Sequence, residues 1–129
     1  MPLVQWPLRN DRPLIEIVLP RSKPPLIRQL IADTGAGSNR SVFQIILDER
    51  DCLRSAGKLI GLATLGGAYT GQFRVYLVET EIPSLGFVDS VPVVGVSQVP
   101  QGSDGIAAFK FLNRFHYGNF GNPGSFGLQ

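Results

Sequence analysis

Asp33 is the residue whose neighbours best suit it to carry chemistry. It follows an apolar stretch and opens the run Asp-Thr-Gly-Ala-Gly-Ser at positions 33–38. A carboxylate at the end of a rigid strand can be held in one geometry, and Thr34 adds a hydroxyl that can lock the loop. Gly35 and Gly37 permit backbone conformations or close approaches that a side chain would block. An aspartate in this setting is suited to acid–base chemistry.

The same Asp-Thr-Gly triplet also suits an ordinary turn, because an aspartate side chain readily accepts hydrogen bonds from its own downstream backbone. Taken alone, the triplet is more typical of a turn than of an active site. Its context favours the catalytic interpretation. An apolar strand precedes it, further glycines follow it, and a glycine-dense segment and a late apolar helix lie downstream.

Two apolar segments are expected to position Asp33. Leu14–Leu19 is rich in branched residues and is bounded by prolines, and Leu26–Ala32 leads directly into the aspartate. Both are typical of strands, with a hairpin connection around Arg21 to Pro24. After Ser41 the apolar period becomes helical, which predicts a helix from about Val42 to about Ala56. Ser41 would be its N-cap, and Gly57 would end it.

The rest of the chain alternates short apolar runs with turn residues. Lys58–Leu65, Gln72–Val78 and Phe87–Val96 are predicted strands, with Pro92 indicating an edge or a bulge. The first two flank a glycine-dense hairpin tip formed by Gly66, Gly67, Ala68, Tyr69, Thr70 and Gly71. Ile106–Phe115 is a short predicted helix, and the tail from 116 to 129 is either a last strand or a docked arm.

Composition favours a single all-β domain over residues 1–129, complete or cut from a longer protein, with one or two short helices. Among 129 residues there are 15 glycines and 10 prolines, which implies many turns. The net charge of +2 gives no support for a nucleic-acid partner. Too few soft ligands are present for a structural metal site, and no cofactor is expected. One cysteine, no signal peptide and no apolar run of membrane-spanning length favour a cytoplasmic location.

The chain resembles the retropepsin-like (retroviral-type) aspartic peptidases, and more closely their bacterial members. Leu30–Ala36 is similar to the active-site loop of that family, and Gly66–Gly71 stands at the position of its substrate-covering flap. Gly105–Leu112 is similar to the late segment in which two apolar residues, a glycine and a helix follow one another. The resemblance covers about residues 14–115 and implies a closed β-barrel that corresponds to one half of the acid-protease fold.

This resemblance implies an aspartic endopeptidase in which Asp33 is catalytic and Thr34, Gly35 and Ala36 support the active-site loop. Because the chain has one Asp-Thr-Gly, the second carboxylate would come from another copy, so a homodimer with one active site is expected. Peptides or proteins would be the substrates. Ala108 stands where the family commonly has glycine. An alternative is a weak or inactive module of the same fold that dimerises or binds peptides.

Other residues with reactive side chains have simpler interpretations. Asp89 is expected to be solvated, and Asp104 is expected to form a turn before the late helix. Cys52 is more typical of a core position than of a nucleophile. His116 is expected at the surface of the tail. Tyr69 is expected either to contact substrate from the flap or to be an ordinary surface tyrosine.

Overall fold

The computed structural model describes residues 2–129 and shows an all-β protein, 48% strand, with two short helices. No helix within these residues is long and apolar enough to span a membrane. A single 3₁₀ turn covers Pro83–Leu85. In chain order the elements are β1 Val4–Pro7, β2 Leu14–Leu19, β3 Leu26–Ala32, β4 Ile45–Asp48, α1 Glu49–Arg54, β5 Lys58–Leu65, β6 Gly71–Ile82, β7 Phe87–Val96, β8 Gly105–Ala107, α2 Phe109–Leu112, β9 Tyr117–Gly118 and β10 Ser125–Leu128.

Six of the strands close into a barrel, which confirms the predicted all-β, closed-barrel class. The large sheet has the order β2-β3-β8-β4-β7-β6-β5, and Val18 of β2 also pairs with Glu81 of β6. That extra pairing joins the two ends of the six-stranded part. β5 lies outside the closure and forms a long hairpin with β6.

The predicted hairpin that leads to Asp33 is confirmed. β2 and β3 pair antiparallel from Leu14 opposite Ile31 to Leu19 opposite Leu26. β3 pairs on its other side with β8, in parallel. Because β3 is hydrogen-bonded on both edges, the aspartate that follows it is attached to a rigid part of the barrel.

The predicted helix from Val42 to Ala56 is wrong in its first half. Ile45–Asp48 is the strand β4, paired with β7 on one side and β8 on the other, and only Glu49–Arg54 is helical. Three consecutive buried apolar residues suit a strand that is covered on both faces. Asp48 replaces Ser41 as N-cap, since its carboxylate accepts a hydrogen bond from the backbone N–H of Arg50 at 2.8 Å.

The predicted late helix from Ile106 to Phe115 is also too long. Gly105–Ala107 forms strand β8 between β3 and β4, and the helix is restricted to Phe109–Leu112. Asp104 lies in the bend that leads into β8 rather than directly before the helix, and it is bonded to β3. Its carboxylate accepts from the N–H of Gln29 at 2.8 Å, and its own N–H donates to the carbonyl of Gln29 at 2.8 Å.

The strands expected around the glycine-dense hairpin are present, and β6 is longer than predicted. Pro92 lies one residue before the first β4–β7 pair, Ile45 opposite Val93, at the point where β7 lacks a β4 partner.

The tail ends as a true strand. β10 pairs with β1 on one edge and with β9 on the other, and Leu128 is completely buried against the barrel core.

Candidate functional site

Asp33 lies at the carboxyl end of β3 and remains attached to the barrel. Its backbone N–H donates to the carbonyl of Ala107 at 3.0 Å, which continues the parallel pairing of Ala32 with Ala107. The side chain is half-buried. The strands therefore determine where the carboxylate is, and the loop that follows determines how it points.

The carboxylate of Asp33 is oriented by its own turn. Oδ1 accepts from the N–H of Gly35 at 2.9 Å, and the Asp33 carbonyl accepts from the N–H of Ala36 at 3.1 Å. The turn interpretation is thus correct for the backbone. Within residues 2–129, Oδ2 accepts no hydrogen bond. A Cβ at position 35 would lie 3.2 Å from Oδ1, which favours glycine there.

The two other residues predicted to support the loop have different environments. Thr34 is exposed, and its hydroxyl makes no hydrogen bond within residues 2–129, so it does not lock its own loop. Ala36 is half-buried, and its carbonyl accepts from the N–H of Phe109 at 2.9 Å. Ala108 is fully buried with extended backbone (φ −82°, ψ 172°), so the fold accommodates its methyl group without a glycine.

A cleft of about 550 Å³ separates Asp33 from the tip of the β5–β6 hairpin. The Asp33 turn forms one wall, and Gly66–Tyr69 forms the opposite wall. The structure therefore brings together most of the residues that the sequence indicated. Sequence reasoning missed other lining residues, among them Phe43, Ile46 and Thr64. Phe43 and Ile46 fall in the first half of the predicted Val42–Ala56 helix, the half that is not helical.

A second cleft, of about 820 Å³, adjoins the first at the hairpin tip. The two clefts share Ala68, Tyr69 and Ile106, and together they are called the hairpin groove here. Thr70 lines only the second cleft, whereas Gly71, the first residue of β6, lines neither. The hairpin groove thus extends along the hairpin tip beyond the cleft that the Asp33 turn lines.

Tyr69 lies between the two clefts and is half-buried. Its ring packs edge-on against Phe73, with centroids 6.4 Å apart. Burial raises the pKa of the Tyr69 phenol above its usual value, so the hydroxyl remains a donor at neutral pH. Tyr69 is thus part of the groove wall, and its contact with a substrate stays a prediction.

Among residues 2–129, Asp33 is the only acidic side chain that lines the hairpin groove. Asp89 is not simply solvated as expected: it forms an ion pair with Arg114, whose hydrogen bond lowers the pKa of the Asp89 carboxyl. Residues 2–129 contain no group of three or more His, Cys, Asp or Glu side chains that could hold a metal ion. One chain therefore brings a single carboxylate to the groove.

Cys52 and His116 lie outside the groove. Cys52 is fully buried in the main core, and this burial raises the pKa of its thiol to about 12, with the charges of Asp51 and Glu49 adding to the effect. His116 is exposed and pairs through its backbone with Gln129.

Comparison of the chain with models of protein families, with curated proteins and with solved structures found no significant match.

Proposed function

We propose that this chain is a retropepsin-like aspartic endopeptidase that acts as a homodimer. The observation that carries the proposal is that Asp33, at the end of a central barrel strand, shares a cleft with the glycine-rich tip of the β5–β6 hairpin. A rigidly held carboxylate opposite a cover that can move is what peptide hydrolysis in a closed site requires.

A second copy would complete the chemistry, because one chain brings one carboxylate to the groove and this reaction uses two. A two-fold axis would place the two Asp33 side chains within hydrogen-bond reach. Their repulsion makes the pair share one proton and titrate as a unit. The ionised partner takes a proton from a water, the water attacks the scissile carbonyl carbon, and the protonated partner donates to the carbonyl oxygen. The C–N bond of this tetrahedral adduct then breaks as the first carboxyl returns its proton to the leaving amine nitrogen and the second takes a proton back from a hydroxyl of the adduct, which restores the starting pair.

The hairpin groove suits an extended peptide. Phe43, Ile46 and Ile106 supply apolar surface, and an extended chain can add to exposed backbone of the hairpin as a strand does. The free hydroxyl of Thr34 is available to brace the loop of the opposite chain, and the free Oδ2 of Asp33 is available to its partner carboxyl.

Replacement of Asp33 by Asn tests this function. The wild-type chain should cleave members of a peptide library at mildly acidic pH, and Asp33→Asn should abolish cleavage while leaving the fold and the dimer intact. Asp11→Asn is the matched control, since Asp11 is exposed at φ 59°, a backbone region that asparagine tolerates. Equal cleavage by wild type and Asp33→Asn would refute the proposal.

A peptide-binding module without turnover is the second candidate. It is favoured by the hydrogen bond that the Gly35 N–H donates to Asp33 Oδ1, because a carboxylate that holds its own turn has a structural role without turnover. Such a module would bind library peptides with equal affinity before and after Asp33→Asn and would release them uncleaved. Isothermal titration with peptides recovered intact after long incubation separates the two candidates.

A further inference from the structure

The segment from Asp33 to Gln44, called the Asp33 loop here, contains no strand or helix. Its geometry therefore depends on the elements to which it is bonded. The two ends are bonded through the backbone. Ala36 accepts from the N–H of Phe109, and the carbonyl of Gln44 accepts from the N–H of Ala108, both at 2.9 Å.

The middle of the Asp33 loop lacks such backbone anchors. Within the described chain, the backbone hydrogen bonds of residues 37–43 are internal, as in the bond from Ser41 N–H to the carbonyl of Ser38 at 3.1 Å. Two side chains from the α2 region connect this part to the barrel by hydrogen bonds. The ammonium of Lys110 donates to the carbonyl of Ser41 at 3.0 Å, and the amide of Asn113 donates to Oδ1 of Asn39 at 3.0 Å.

Lys110 is the stronger of these two connections. Its side chain is half-buried, whereas both asparagines are exposed to water. A charged donor makes a hydrogen bond roughly twice as strong as that of a neutral one. Lys110 forms no ion pair among residues 2–129, so no carboxylate competes with the Ser41 carbonyl for its ammonium. Its position on α2 places this bond next to the backbone bond between Phe109 and Ala36.

We propose that Lys110 is a positioning residue for Asp33, an inference that rests on the proposed peptidase function. By holding the Ser41 carbonyl, its ammonium fixes the middle of the Asp33 loop against α2. Ser41 and Phe43 also line the cleft opposite the hairpin tip, so the same bond sets the shape of the groove wall. Lys110 itself does not line the groove, and its effect on catalysis is indirect.

The test compares Lys110→Met with Lys110→Arg and with the control Lys58→Met, since Lys58 is exposed and makes no polar side-chain contact among the described residues. Hydrogen exchange measured on the whole chain should show amides of residues 37–43 exchanging about tenfold faster in Lys110→Met. In peptide cleavage at saturating dimer, kcat should fall by about tenfold with KM changed by less than about twofold. Lys110→Arg should restore most of both values, and Lys58→Met should change neither.

Unchanged loop exchange and unchanged kcat in a folded Lys110→Met would overturn the inference while leaving the peptidase proposal intact. A loss of kcat that Lys110→Arg does not restore would also overturn it. If Lys110→Met does not fold, Lys110→Gln, with a shorter polar side chain, replaces it. Absence of cleavage by the wild type would instead refute the proposed function, and the inference with it, even where the loop exchange responds.

Discussion

The backbone N–H of Asp33 donates to the carbonyl oxygen of Ala107 at 3.0 Å. This bond attaches the aspartate to β8, a strand of three residues that lies between β3 and β4. Because β8 is paired on both edges, any change that displaces it must also displace Asp33. The position of the candidate catalytic group therefore depends on residues more than seventy positions away in the chain.

Gly105→Ala should destabilise the protein by more than about 3 kcal/mol. A Cβ at Gly105 would lie 2.2 Å from the backbone oxygen of Ile46, and the residue has φ +156°. The Ile46 oxygen belongs to the backbone of the paired strand β4, so it cannot move aside by a rotamer change. Urea denaturation measures the loss. Gly66→Ala is the control, since a Cβ at Gly66 meets no atom within 4 Å, and equal midpoints for the two variants would contradict the close approach.

Leu128→Ala should lower the free energy of unfolding by about 2–5 kcal/mol, because the side chain is completely buried in the main core. The prediction tests whether the tail is part of the fold of each chain rather than a loose arm. Leu3→Ala, at a side chain that is 43% exposed, should cost less than about 0.5 kcal/mol. Thermal or urea denaturation of both variants measures these changes. A small loss of stability in Leu128→Ala would show that the tail does not pack in the core.

Cys52 should resist alkylation in the native protein at pH 8. Burial raises the pKa of its thiol to about 12, so the reactive thiolate is scarce and inaccessible. Mass spectrometry after iodoacetamide treatment should find no adduct until denaturant is added, and then one adduct, since the chain has one cysteine. Rapid modification of the folded protein would show that the helix α1 opens from the barrel.

Glu49 should contribute to stability at neutral pH and lose that contribution in acid. A hydrogen bond from Tyr76 at 2.8 Å, and after it the cation of Arg74, lowers the pKa of the Glu49 carboxyl. The folded pKa therefore lies below the unfolded value of about 4.3, so the stabilisation is complete above that value and disappears as pH falls through the folded pKa.

Glu49→Gln should accordingly reduce stability by about 1 kcal/mol at pH 7, with a difference that shrinks below about pH 4. Urea denaturation across this pH range measures it. Glu79→Gln, at a side chain without a hydrogen bond or ion pair among the described residues, should change stability by less than about 0.5 kcal/mol at either pH. If the loss of stability in Glu49→Gln stayed constant as the pH falls, the lowered pKa of the Glu49 carboxyl would be contradicted.

Those parts of the candidate site that depend on neighbouring residues can be predicted from the sequence. Strand Leu26–Ala32, the turn at Asp33 and the hairpin around Gly66–Gly71 follow from apolar alternation and from glycine and proline positions. These signals act over a few residues, so they can be recognised without the rest of the fold.

That Ile45–Asp48 and Gly105–Ala107 are strands follows from long-range pairing and not from their own residues. A short apolar run is compatible with a helix or a strand, and the partner strands that select between them are distant in sequence. The same long-range pairing closes the barrel, places the hairpin tip opposite Asp33 and brings Lys110 to the carbonyl of Ser41. Local residue types specify a turn, whereas contacts between distant segments specify which groups surround it.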